Sequence, residues 1–223
     1  MSGLNTYCDD GLITPYETLA IAVNRGIVRT GIPTEKTAMT KVDDLWYLAD
    51  EATQQAEQTY HTLTRQYDDH IEFETTKHVS RRRFRTVARR IKRNGAPYGA
   101  HTLAYRDSGE LLLVRHDAVD LWVLPGGQAD EGELFREAAQ RELYEEAGIE
   151  ATYHGLGMLG RVSFYAEGYS TWGVLPLFEA ETEDDEPTAE DPDGEISAAE
   201  WFDELPPDTR DRAELRKWRN RRL

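Results

Sequence analysis

The chain has 223 residues, 39% of them hydrophobic, enough for one fair-sized domain or a domain with a smaller partner. Its formal charge is −16, from 42 acidic against 26 basic residues, which argues against non-specific binding to duplex DNA. Cys8 is the single cysteine, so an internal disulfide framework is excluded, and no apolar run approaches the roughly 18 residues of a membrane span.

The start of the chain has no basic region followed by an apolar core, so no secretory leader is expected. These features together lead us to expect a soluble, cytoplasmic protein. Its bases comprise 21 Arg and 5 Lys. An acidic surface poor in lysine fits a halophilic setting, where salt screens self-repulsion and carboxylates hold hydrated cations. Simple acidity is the plainer alternative.

Residues 1–38 carry Gly and Pro breaks and no sustained period. We expect an irregular extension, or an upstream start with Met39 as the native first residue. From Asp43, Leu45, Ala49, Ala52, Ala56, Tyr60, Leu63 and Tyr67 recur every three or four residues, a continuous helical stripe. A second helix is predicted over His78–Arg93, with Phe84, Val87, Ala88 and Ile91 on one face. Region 39–95 is therefore read as helical, forming a hairpin or a homodimer contact. Gly95 and Pro97 mark its end.

After Pro97 the pattern changes to strands: YGAHTLAYR, ELLLVRH and LWVLP, then runs at 152–165 and 171–179. A helix is predicted from near Glu133 to Gly148, where glycine supplies a C-terminal cap. An acidic loop follows, with ten acids among the seventeen residues Glu179–Glu195. AAEWF reads as a short strand, and RDRAELRKWRNRRL, within 207–223, as a basic C-terminal helix. Strands mixed with helices over 96–206 predict an α/β core.

The segment GGQADEGELFREAAQRELYEEAGI, residues 126–149, concentrates carboxylates on the predicted helix. At about 100° per residue, Glu142, Glu145 and Glu146 fall within one arc. A charge run is usually a solvated face. Clustered carboxylates also suit a hard divalent cation, which takes oxygen ligands together with waters and substrate phosphates. The spacing separates these readings. Gly127, five residues, Glu133, seven residues, then Arg141-Glu142-Leu143-Tyr144-Glu145-Glu146-Ala147-Gly148-Ile149 resembles the Nudix box at all its defining positions.

That resemblance implies an α/β/α sandwich with a mixed sheet, preceded here by a small helical region. It also implies hydrolysis of a nucleoside diphosphate linked to another moiety, with Mg²⁺ or Mn²⁺ as cofactor. By position, Glu142, Glu145 and Glu146 would bind metal, Glu142 being also a candidate base. Arg141 would pair with Glu133, and Gly126 and Gly127 would form the turn before the helix. A further carboxylate, as extra metal ligand or base, is expected before the last strand, where Glu195 is the first choice and Glu200 its rival.

The substrate is less legible. Arg115 ends a predicted strand before the box and is a candidate phosphate contact. Tyr165 lies where dinucleoside polyphosphate hydrolases of the family carry a tyrosine, although a strand core position is the plainer reading. ADP-ribose-like compounds, dinucleoside polyphosphates and nucleoside triphosphates all stay open. The run RRRFRTVARRIKRNG places eight basic residues within 81–93. It could hold RNA or a long polyphosphate. An amphipathic helix whose basic rim pairs with acids of the same chain or a partner subunit is preferred, because no aromatic beyond Phe84 interleaves. The six histidines show no zinc-ligand spacing. A Nudix-fold regulator, with 43–95 as its interaction region, is the alternative function. An isoprenoid diphosphate isomerase would want a cysteine in the core, which contains none.

Overall fold

The computed structural model describes residues 44–183, 186–189 and 194–222. The predicted 1–38 extension lies outside them.

Helix α1 spans Asp44–Gln66 and buries Leu45, Ala49, Ala52, Ala56 and Leu63. Tyr60 and Tyr67 pack partly buried against the same core. Strand β1, Ile71–His78, follows, then α2, Arg81–Asn94. Ser80 caps α2 by accepting the Arg83 N–H at 3.2 Å. Strands β2 (Ala100–Tyr105), β3 (Leu111–His116), β4 (Leu121–Val123) and β5 (Gly126–Gly127) lead to α3, Phe135–Ala147. A long hairpin of β6 (Thr152–Ala166) and β7 (Tyr169–Glu181), then β8 (Ile196–Phe202) and α4 (Arg212–Arg222), complete the chain.

One mixed sheet runs β1-β6-β7-β2-β3-β4, with β5 paired to β2 and β8 to β3. Strands β1 and β6 are parallel, as are β2 and β7, while β6 and β7 are antiparallel. Helices α1 and α2 pack over β7 and β6, and α3 packs over β2, β5 and β7. A mixed sheet flanked by helices is the architecture the sequence predicted.

Three local readings need correction. Region 39–95 is not wholly helical, because β1 sits inside it and pairs with β6 from Ile71↔Met158 to His78↔Tyr165. Only Ile71 and Phe73 alternate with Glu72 and Glu74, so the period-2 signal is too short to read; the pairing partner decides the conformation. The helix predicted from His78 accordingly starts at Arg81. Second, the α1 stripe is covered within the chain by α2 and β7, so it is not the free dimer face the sequence allowed. Third, the C-terminal helix, read as lying outside the 96–206 core, packs into it as α4. Trp218 is fully buried and its indole N–H donates to Glu179 Oε2 at 3.3 Å. Arg221 and Arg222 pair with Asp69 at 3.0 and 2.8 Å.

Candidate active site

The sequence of α3 is rich in good helix formers, and both of its ends are held. At the start, Glu137 Oε2 accepts the Leu134 N–H at 3.0 Å and closes the first turn. At the end, Gly148 adopts φ 66° and its N–H donates to Tyr144 O at 2.8 Å. One face buries Ala138, Ala139, Leu143 and Ala147. Thr102 of β2 donates to Ala139 O at 3.1 Å, fixing the helix against the sheet.

Strand β5 brings two glycines to the opposite side of the site. Gly126 pairs with His101 and Gly127 with Ala100. Gly126 has φ 151°, and a Cβ there would lie 2.4 Å from Ala100 O. Its N–H donates to Glu146 Oε2 at 2.8 Å. A Cβ on Gly127 would lie 2.4 Å from Glu142 Oε1, so the second glycine is what lets that carboxylate approach the backbone.

Arg141 is the centre of the arrangement. Its Nε and Nη2 donate to the two oxygens of Glu133 at 3.0 and 3.1 Å, a bidentate pair. Its Nη1 donates to Glu142 Oε1 at 3.0 Å and to Glu145 Oε2 at 2.8 Å. Nη2 also donates to Gln128 O at 3.0 Å, tying the loop to the helix. Glu133 further accepts the Asp130 N–H at 2.8 Å. The electrostatics follow. The Arg141 guanidinium holds the Glu133 carboxyl below the usual range. Burial pushes Glu142 up, and Arg141 only partly opposes it. The carboxylates, Glu133 foremost, raise Arg141 in turn.

Among the described residues, no three His, Cys, Asp or Glu side chains stand grouped as a ready metal cage. The reason is local: Glu142 and Glu145 face the guanidinium, and Glu146 faces the Gly126 N–H. The donors themselves suit a hard divalent ion. They are carboxylate oxygens only, and two of them converge within 3.0 Å of one nitrogen.

A family model for the NUDIX domain matches residues 96–219, more than half of the chain. The chain belongs to the Nudix family. A putative 8-oxo-dGTP diphosphatase of Bacillus subtilis (strain 168) is 38% identical over 78 residues, 34% of this chain and 52% of that protein. The chain thus spans about half the length of this curated relative. A MutT NUDIX hydrolase structure from Burkholderia pseudomallei is 27% identical, with TM-score 0.40 over 56% of this chain and 95% of that one. An Ap4A hydrolase binary complex from C. elegans is 26% identical, with TM-score 0.38 over 55% and 92%.

The Nudix match includes α4 as well as the box, in keeping with the burial of Trp218. The other residues singled out from the sequence make other contacts. Arg115 ion-pairs with Asp120 and Asp208 and lies over the Trp122 ring at 5.8 Å. Its charge is therefore already matched, which counts against the phosphate contact. Glu195, just before β8, has its carboxylate 3.6 Å from His116 Nε2. Glu200 pairs with Leu113 along β8 and is exposed. Tyr165 is 44% exposed and stacked on His78, contrary to the core position preferred from the sequence.

Two residues near the box were not foreseen. Gln128 links three elements: its carbonyl serves Arg141, its Oε1 accepts from Arg93 at 2.8 Å, and its Nε2 donates to Pro97 O at 3.2 Å. His101 lies under Gly126, with Nδ1 buried and lacking a hydrogen-bond partner. Burial first, and then the charge of Arg210, lower its pKa to about 4, so it is neutral near pH 7. Only its inward place on an alternating strand could have flagged it.

Proposed function

We propose that this chain is a metal-dependent hydrolase that cleaves a pyrophosphate bond in a nucleoside diphosphate linked to another group. The observation that carries the reading is the intact box folded so that Arg141 gathers Glu133, Glu142 and Glu145 beside the Gly126–Glu146 contact. Glu142, Glu145 and Glu146 are the residues assigned to hold Mg²⁺ or Mn²⁺. The ion, when bound, neutralises phosphate charge and activates water. Glu142 is assigned as the base. A carboxylate with a raised pKa is a stronger proton acceptor once ionised, and burial raises this one. Glu195 is assigned as the additional ligand, and it is the rival to Glu142 for the base. Arg141 and Glu133 position the helix, and Gly126 and Gly127 leave room for phosphate and carboxylate.

The test is a substrate panel with Mg²⁺ at low and high salt: ADP-ribose, dinucleoside polyphosphates, NADH and nucleoside triphosphates. The similarity to a putative 8-oxo-dGTP diphosphatase adds oxidised deoxynucleoside triphosphates. Turnover of at least one compound is expected. Binding of metal with no turnover of any would overturn the hydrolase reading in favour of a ligand-binding regulator.

A further inference from the structure

Helix α2 presents the most concentrated positive charge in an otherwise acidic chain. Phe84, Val87, Ala88 and Ile91 face the core. At about 100° per residue, Arg82, Arg89 and Arg93 lie near the middle of the opposite, solvent face, and Arg85 flanks them. The basic rim is largely unpaired. Lys92 meets Glu51 at 2.8 Å and Arg93 bonds Gln128. Among the described residues, Arg82, Arg83, Arg85, Arg89 and Arg90 have no carboxylate within salt-bridge distance. The arginines at the end of α4 behave differently, for Arg221 and Arg222 both close on Asp69. Of the pairing with acids of the same chain or a partner subunit read for this run, the described residues show the Lys92–Glu51 pair within the chain.

The two ends of α2 add what the charge alone does not. Its C-terminal end touches the box loop through Arg93 and Gln128. Near its N-terminal end is a cleft whose lining includes His78, Val79, Tyr165, Tyr169 and one carboxylate, Glu167. There the His78 and Tyr165 rings stack at 5.5 Å, with Tyr165 44% exposed, and Arg81 lies 5.2 Å over the Tyr169 ring. The aromatics missing from the basic run are thus supplied by β1, β6 and β7. A row of unpaired guanidinium groups beside open rings is how a protein tracks a phosphate backbone while stacking its bases.

We infer that the outer face of α2, with the His78–Tyr165 cleft, binds single-stranded nucleic acid. The strand's phosphates follow Arg82, Arg85 and Arg89, and a base stacks at Tyr165. A helix of 14 residues is about 21 Å long, the length of roughly six nucleotides at duplex rise and fewer if extended. The site is separate from the box, and binding needs neither metal nor turnover. A duplex offers no free base to the cleft.

The experiment measures fluorescence anisotropy of a labelled 12-mer single-stranded RNA on the full chain, in EDTA, from about 50 to 300 mM salt. Affinity is expected to fall linearly in log–log form, by about 0.7 per phosphate neutralised. Replacing Arg82, Arg85 and Arg89 together by Ala lowers that slope by about 2. Tyr165→Ala weakens binding roughly tenfold and leaves the slope unchanged. A blunt duplex and an inorganic polyphosphate of equal charge compete several-fold less well than the single strand. Circular dichroism and melting check that the variants fold. Hydrolysis of whichever compound the panel identifies stays unchanged in the triple variant. No binding by the wild type at 50 mM salt, a triple variant with the wild-type slope, or polyphosphate competing equally while Tyr165→Ala has no effect would each overturn the inference. Because the readout is metal-free binding, it stands or falls separately from the hydrolase proposal.

Discussion

Gly127→Ala separates the shape of the site from the stability of the fold. The added Cβ would lie 2.4 Å from Glu142 Oε1, 2.6 Å from its Cδ and 2.8 Å from its Oε2. Ordinary contact needs about 3.5 Å, so the carboxylate must retreat by about 1 Å. The fold absorbs this cheaply, because the obstacle is the end of a flexible side chain and Gly127 does not sit at positive φ. An off-rotamer Glu142 costs about 1 kcal/mol. The alanine restricts the unfolded chain and returns about half of that or more. The melting temperature should move by no more than about 3 °C. If Glu142 is the base, as proposed, the chemistry does not absorb it: a catalytic group displaced by about 1 Å can lose roughly 100-fold in kcat/KM. The assay is kcat/KM with Mg²⁺ on the best substrate of the panel, beside a thermal melt. Gly126→Ala is the contrast, since its Cβ meets the backbone at Ala100 O and its φ is 151°, so it should lower the melting temperature clearly. Wild-type kcat/KM in Gly127→Ala would remove the steric reason for a glycine at 127, and with it the placement of Glu142 at the reacting centre.

Three further outcomes are expected. Glu146→Gln should cut turnover about 100-fold or more while keeping the fold, because the glutamine oxygen can still accept the Gly126 N–H; retained activity would remove Glu146 from the metal assignment. His101 has a folded pKa of about 4 against an ordinary value of 6.5, so the unfolded chain binds more protons between them. Its contribution is thus full above pH 6.5 and is lost as pH falls toward 4, on the order of 3 kcal/mol. Chemical denaturation across that window should show a shallower acid loss in His101→Gln, and an equal slope in both proteins would refute the burial account. Trp218→Ala empties a fully buried position and should cost about 3–5 kcal/mol by urea unfolding; a loss under about 1 kcal/mol would mean that α4 is peripheral after all.

Legibility differed by the range of the interaction involved. The box was readable because its chemistry is local: Glu133, Arg141, Glu142 and Glu145 lie within 13 residues and meet across a loop and one helix. The α1 stripe was readable for the same reason, as helical periodicity is a local signal. What was missed depends on partners far along the chain. Strand β1 exists because β6 accepts it more than 80 residues later. Arg115 looked free because Asp208, one of its two partners, is 93 positions away. His101 acquired its shifted pKa by lying under Gly126, a sheet contact without any sequence motif.

The same distinction explains how one guanidinium can be both support and rival to a metal. Three carboxylates near one helix face repel one another, and without a cation something must offset that repulsion. Arg141 does so with five donated hydrogen bonds, four of them to carboxylates. The contacts are not equivalent. Glu133 holds the guanidinium by two parallel bonds, whereas Glu142 and Glu145 share the single Nη1. On the proposed assignment, Glu142 and Glu145 would hold a divalent ion while Glu133 keeps Arg141 in place. Arg141→Lys retains the charge and loses the fork. In that variant Mg²⁺ should raise the melting temperature by more than it does in the wild type, because the ion then supplies the pairing that lysine cannot. Equal Mg²⁺ shifts in the two proteins would show that the ion and Arg141 do not share these carboxylates.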